Sequence, residues 1–139
     1  MIEIFKIGSD EWKKNFSDSA HLAVFKEYKP NHRDRIDFAL LAVKDDKPAM
    51  YMQCREFDSE TIYIQYGGAF EDTKKTYSVF IIFNAFLNRL KQTYLRAAMY
   101  VENTNKAMLK LALAAGFVIT GVRNFKQSIL LECLLEFGG

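Results

Sequence analysis

Gly116 is the residue that most constrains how this chain can fold. It follows the run KAMLKLALAA (residues 106–115), in which apolar residues recur at helical spacing behind the polar stretch ENTN. A helix that stops on glycine places that glycine at positive φ, a conformation reached without the steric cost of a Cβ. Asn103 or Thr104 supplies a cap at the other end. On either side lie AAMYV (97–101) and FVITGVR (117–123), short apolar runs rich in β-formers, which read as strands. Strand, helix and strand in such close succession require a sheet with a helix packed against it.

The remainder supplies partners for that sheet. IEIFKI (2–7) alternates apolar and polar residues as a strand does, and Gly8-Ser9-Asp10 brings turn and helix-cap chemistry. Trp12 and Phe16 form an i, i+4 pair, and Leu22 and Phe25 continue an apolar side through a second short helix. KPNHRD (29–34) reads as a loop. DFALLAV (37–43), the turn DDKP and AMYMQCREF (49–57) form a hairpin, and TIYIQYGGAF (61–70) adds a third antiparallel strand. Paired Gly67 and Gly68 mark either a bulge or a splayed strand end. The segment 71–93 reads as a helix capped by Asp72 or Thr73, with Tyr77, Phe80, Ile81, Phe83, Ala85, Leu87 and Leu90 as its apolar positions. SILLECLLEF (128–137) closes a hairpin with 117–123. The order is β-αα-β-β-β-α-β-α-β-β, a mixed α/β sheet, mostly antiparallel and of about seven strands, in one domain spanning residues 1–139.

Charge and composition remove several function classes. The 19 basic and 17 acidic residues are interspersed, so no basic stripe offers a nucleic-acid footprint. The longest apolar run, 77–87, is broken by Ser78 and Asn84 and falls well short of a membrane span of roughly 20 residues. The amino terminus lacks a basic start followed by a long apolar stretch, so a cytoplasmic protein is expected. Cys54 and Cys133 lie in apolar segments, where free cysteine behaves as a small buried side chain. His21 and His32 have no second ligand at metal-site spacing, and no metal is expected.

The element order, taken with VENTNKAMLKLALAAGFVITGVR (101–123), resembles the GNAT superfamily of acyl-CoA-dependent N-acyltransferases. Asn105, Gly116, Phe117 and Gly121 match the family's closing pattern of asparagine, helix, Gly-Phe and a strand with a further glycine. The resemblance implies acetyl-CoA as acyl donor, its pantetheine arm lying between the strands at 61–70 and 97–101, beside Gly68, Ala69 and Phe70. It implies a diphosphate site at the start of the next helix, where Lys74, Lys75, Thr76, Tyr77 and Ser78 stand in place of the family's glycine-rich loop; a helix N-terminus with lysines and hydroxyls is suited to an anion. Asn105 is placed beside the cofactor arm. Many family members carry a tyrosine four residues before the Gly-Phe glycine to protonate the leaving thiolate; Ala112 occupies that position here. For the proton on the acceptor, Tyr66, Gln65, Glu56 and Glu71 fall near the implied site, and Tyr66 is the candidate catalytic hydroxyl.

Three readings of function follow. The first is an N-acetyltransferase acting on an amine of a small molecule or peptide, as a monomer or homodimer. The second, motivated by the missing glycines and by Ala112, is a GNAT-like protein without catalysis that serves as a binding or structural component, with a resemblance to small acetyltransferase-like proteins of tailed phages. The third is an unrelated α/β module that uses the apolar face of TYSVFIIFNAFL as a protein interface.

Overall fold

The computed structural model describes residues 2–25, 35–70, 73 and 76–138, apart from the side chains of His21, Phe25 and Tyr66. In chain order the elements are β1 (Ile2–Gly8), α1 (Ser9–Asn15), α2 (Ser17–Phe25), β2 (Phe38–Lys44), β3 (Lys47–Glu56), β4 (Thr61–Ala69), α3 (Ser78–Leu90), β5 (Arg96–Glu102), α4 (Lys106–Ala114), β6 (Val118–Phe125) and β7 (Ser128–Glu136). This is the order that periodicity predicts. The predicted loop at 29–34 lies outside the described residues.

All seven strands join one sheet in the order β1-β2-β3-β4-β5-β7-β6. Every neighbouring pair is antiparallel except β4 with β5, which are parallel and joined by the crossover through α3. A parallel pair needs a long connection, and a helix packed on the sheet provides it.

The two faces carry separate cores. On one, α3 presents Ile82, Phe83, Phe86, Leu87 and Leu90 to Leu40, Met52, Ile62 and Met99, while Ala112 of α4 and Phe117 complete the layer. That burial answers the third reading: the apolar face of α3 is core. Its members differ from the predicted set, since Ile82 and Phe86 point inward whereas Ile81 and Tyr77 are exposed. On the opposite face, Trp12, Ala20 and Val24 of α1 and α2 pack on Ala39 and Tyr51. Trp12 stacks on Phe16 at 5.8 Å, and its Nε1 donates to Gln53 Oε1 at 2.7 Å, which ties α1 to β3.

The helix ends show which local expectations hold. Gly116 has φ of +105°, as its place after the helix requires. Gly116 N bonds to Leu113 O and Phe117 N to Ala112 O, the paired bonds of a Schellman ending. At the other end the cap is Asn105, whose Oδ1 accepts from Met108 N at 3.1 Å, and not Asn103 or Thr104. Those two residues stand too early: the chain first turns through Glu102 O, which accepts from Asn105 N. Helix α3 likewise begins at Ser78 and not behind Asp72 or Thr73. Thr76 donates both its amide and its hydroxyl to Thr73 O, and this local turn holds the chain out of the helix.

Candidate functional site

The parallel pairing of β4 with β5 is short. It joins Thr61 to Arg96, Ile62 to Ala97, Tyr63 to Ala98 and Ile64 to Met99, and there it stops. Beyond that point β4 stays bound to β3, with Tyr66, Gly67, Gly68 and Ala69 opposite Gln53, Met52, Tyr51 and Met50. β5 stays bound to β7, with Tyr100, Val101 and Glu102 opposite Glu132, Leu131 and Leu130. Each strand keeps its outer neighbour and loses its inner one, so the sheet opens into a V with arms at 65–69 and 100–102. The inner edges of those arms offer main-chain groups to an extended ligand, which can bind as an added strand does.

The opening coincides with a defect in β4. Gln53 pairs with Tyr66 and Cys54 with Ile64, which leaves Gln65 as the extra residue of a β-bulge directly after the last β4–β5 pair. Bulges bend their strand and increase its twist, turning this arm away from β5. Of the two alternatives for Gly67 and Gly68, the splayed strand end is observed; the bulge precedes them. Their lack of side chains has a packing reason. A Cβ on Gly68 would stand 2.4 Å from Val24 Cγ1, and one on Gly67 would stand 2.9 Å from Tyr51 O. Helix α2 therefore rests directly on the β4 arm.

The remaining predicted residues divide by position. Ala69 is buried at the tip of the β4 arm, and Phe70 continues from it, with its amide bonded to Ala49 O and its ring 6.1 Å from Tyr51. Thr76 and Ser78 stand at the start of α3, where Lys44 of β2 donates from Nζ to Ser78 Oγ at 2.9 Å. Tyr77 is 73% exposed, with its ring 6.0 Å from that of Phe80. Lys74, Lys75 and Glu71 lie outside the described residues, as does the side chain of Tyr66, whose backbone sits on the β4 arm opposite Gln53. Asn105 begins α4, three residues beyond the end of the β5 arm, with its carbonyl oxygen already engaged as the helix cap. Glu56 is a correction: it pairs with Ile62 at the closed end of β4 and accepts from Tyr94 Oη at 2.6 Å, away from the V. Burial, then that carboxylate, push the Tyr94 phenol well above its ordinary range, so it stays a protonated donor.

Sequence reasoning missed two features. Lys44 could not be associated with α3, because the contact spans 34 residues. The second is a row of rings and guanidinium groups across the face opposite α3. Tyr63 meets Tyr100 edge-on at 5.8 Å and stacks on Phe57 at 5.0 Å, Arg55 lies over Tyr63, and Arg123 lies over Tyr100. Only period-two alternation on four separate strands, with their registers known, could have found it. Burial pushes both cysteine thiols above their ordinary range, leaving neither as a ready nucleophile. Among the described residues no cluster of histidine, cysteine or carboxylate could hold a metal ion, and no helix is long and apolar enough to cross a membrane.

No protein-family profile and no curated protein matches this sequence. Solved structures do match its shape. A GNAT family acetyltransferase from Elizabethkingia anophelis, solved with acetyl-CoA bound, superposes with a TM-score of 0.80 over 98% of both chains at 15% identity. The ribosomal-protein-S18-alanine N-acetyltransferase of Escherichia coli superposes at 0.78, covering 98% of this chain and 94% of its own, at 11% identity. An N-acetyltransferase from Staphylococcus aureus gives 0.77 over 100% and 99% at 13% identity. At such identities the likeness speaks to architecture, and with the split between β4 and β5 it leads to one conclusion: this chain has the GNAT acetyltransferase fold.

Proposed function

We propose that the protein is an N-acetyltransferase that takes its acyl group from acetyl-CoA and passes it to an amine. The observation that carries this reading is the V between β4 and β5, open from Gln65 and Tyr100 outward. An extended arm with amide groups suits that gap, because both inner strand edges offer backbone partners. Lys44 brings a cation to the first turn of α3, where the helix dipole already favours an anion. Lys74 and Lys75 are adjacent in sequence, and Tyr77 and Ser78 complete the set that would receive a diphosphate. Gly68, Ala69 and Phe70 border the arm on the β4 side, and Asn105 borders it at the start of α4.

Acetyl-CoA supplies a thioester, whose acyl carbon accepts an amine nitrogen while the sulfur departs as thiolate. Ala112 is fully buried and has no proton to give. The leaving thiolate, with a pKa of about 8.5 on the cysteine scale, can depart without a strong acid. What the chain must supply is therefore alignment and an amine in its neutral form. Tyr66 on the β4 arm is the candidate hydroxyl for the second task. Tyr100, the first residue of the β5 arm and ringed by Tyr63 and Arg123, is the other phenol placed at the V.

Titration calorimetry with acetyl-CoA, followed by acetylation assays on a panel of primary amines, tests the reading. Saturable binding at micromolar to millimolar concentration together with turnover is expected. Binding without turnover on any amine would favour the non-catalytic reading that Ala112 motivates, and absence of binding would end both.

A further inference from the structure

Two opposite charges stand beside the V without pairing. Glu132 lies directly opposite Tyr100, the first residue of the β5 arm, in the β5–β7 ladder. Its neighbours Leu131 and Cys133 belong to the core under α3 and α4, as do Met99 and Val101 beside Tyr100, so Glu132 and Tyr100 turn to the opposite face. Arg123 reaches that face from β6 and lies over the Tyr100 ring at 5.5 Å. Among the described residues neither the Glu132 carboxylate nor the Arg123 guanidinium has a hydrogen bond or ion pair, and they do not bond to each other.

Each is seated by a contact that leaves its polar edge free. A Cβ on Gly121 would stand 2.6 Å from Glu132 Oε2 and 3.3 Å from its Cδ, so the carboxylate rests on backbone that a larger residue would cover. A guanidinium over a ring keeps its N–H groups at the rim, in the fork that meets a carboxylate. Arg55 is set apart from this pair, over Tyr63 and Phe57 on the β3 side. Lys44 and Ser78, where an anionic end of the donor would sit, belong to the α3 side. The face that carries Glu132 and Arg123 is thus the one left to the second substrate.

Unlike charges side by side match an ammonium and a carboxylate held on one carbon. Facing residues of β5 and β7 are about 5 Å apart, which puts the pair roughly 5–10 Å from the V, the reach of a chain of about three to five carbons. Resting on the acetyl-transfer reading, we infer that Glu132 and Arg123 bind the amino-acid head group of the acyl acceptor, its α-ammonium on Glu132 and its carboxylate on Arg123, while an amine ending its side chain enters the V. The acceptor class is a free basic amino acid of the lysine or ornithine type. Its neutral side-chain nitrogen attacks the acyl carbon, the sulfur leaves as thiolate, and the proton lost by nitrogen converts that thiolate to the CoA thiol.

Three ligands share a straight-chain amine and differ in the head. Lysine has both charges, cadaverine lacks the carboxylate, and ε-aminocaproate lacks the α-ammonium. Their binding to CoA-saturated protein is read by NMR from the Tyr100 and Gly121 backbone amides. Lysine is expected to bind about tenfold more tightly than either of the others. In Arg123→Gln, lysine falls to the level of cadaverine, whose own affinity holds. In Glu132→Gln, lysine falls to the level of ε-aminocaproate, whose own affinity holds. A folding defect would weaken all three alike, so the crossed pattern isolates the head-group contacts. Equal affinities or no binding in the parent protein, parallel losses of all three ligands in the variants, or acetylation of lysine at its α-nitrogen would each overturn the assignment. Failure of CoA to bind the unaltered protein is a separate result, which removes the acetyl-transfer reading, and the same titrations without CoA then decide the head-group site by themselves.

Discussion

Replacing Gly68 with alanine tests whether α2 is seated on the β4 arm. A Cβ at that position stands 2.4 Å from Val24 Cγ1, with Val24 Cβ at 3.6 Å and Cγ2 at 3.9 Å. Carbon atoms in contact settle at about 3.5–4.0 Å, so the pair must part by roughly 1 Å. Val24 is buried in a helix, where a β-branched side chain has one strongly preferred rotamer, and the strain passes to the helix backbone. Overpacking of this kind costs about 1–3 kcal/mol. Alanine returns about 0.4–1 kcal/mol by restricting the unfolded chain, leaving a net loss of about 1–2 kcal/mol. For a domain of this length that is a fall in Tm of roughly 3–8 °C, measured by thermal and urea unfolding. Val24→Ala removes the clashing methyl. It costs about 1–2.5 kcal/mol alone, but the double variant should be more stable than the sum of the single losses by about 1–2 kcal/mol. Additivity within about 0.5 kcal/mol would refute the packing argument. A Gly68→Ala protein with unchanged Tm and abolished acetyl-CoA binding would show instead that the ligand needs the glycine.

Gly116→Ala places a side chain at φ of +105° and its Cβ 3.3 Å from Leu135 Cδ1, so a loss of about 1–3 kcal/mol is expected by urea unfolding. Asp58 Oδ1 accepts from the amides of Glu60 at 2.8 Å and Thr61 at 2.9 Å, and these bonds, the Glu60 amide first, hold its carboxyl below its ordinary range. A carboxyl with a lowered folded pKa adds stability above its unfolded value of about 3.9 and loses it as pH falls through the folded value. Asp58→Ala should therefore be less stable than the parent at neutral pH and converge with it in acid, as melts from pH 7 to 2 would show. Lys44→Gln should weaken acetyl-CoA binding several-fold by calorimetry at low salt, with the difference shrinking as salt screens the charge; an effect independent of salt would assign Lys44 to packing at Ser78.

The fold was legible because its signals are local. The period of two in IEIFKI, the turn at DDKP and the glycine after KAMLKLALAA each depend on fewer than about ten neighbouring residues, the range over which dihedral preference and amphipathic patterning act. Errors arose where a second local interaction competed. Thr73 has cap chemistry, yet Thr76 uses its carbonyl for a turn and the helix waits until Ser78. The inward face of α3 was misassigned for a related reason: with nearly every residue from 77 to 87 apolar, periodicity cannot say which stripe is buried. Contact with the sheet decides in favour of Ile82, Phe83, Phe86 and Leu87.

The site depends on registers, and a register is a relation between strands that no single segment encodes. That β4 and β5 part after Ile64 and Met99 follows from where the extra residue falls opposite β3, and Gln65 carries no sequence mark of being that residue. Of the glycines that attracted attention, Gly68 answers to α2 through Val24 and Gly67 to the Tyr51 carbonyl of β3, while the bulge sits just before them. Glu56 was misplaced for the same reason: three strands in meander order put it on the right strand but at the closed end, where Tyr94 claims it. An opening produced by register can still be tested through its consequences. Two strand edges that have lost each other and kept their outer partners form a gap whose walls are held from behind, so a ligand entering it need not pay to separate them. Ligand binding here should accordingly leave the β3–β4 and β5–β7 hydrogen bonds intact, and amide exchange should slow along 65–69 and 100–102 while changing little at Gln53 or Leu131.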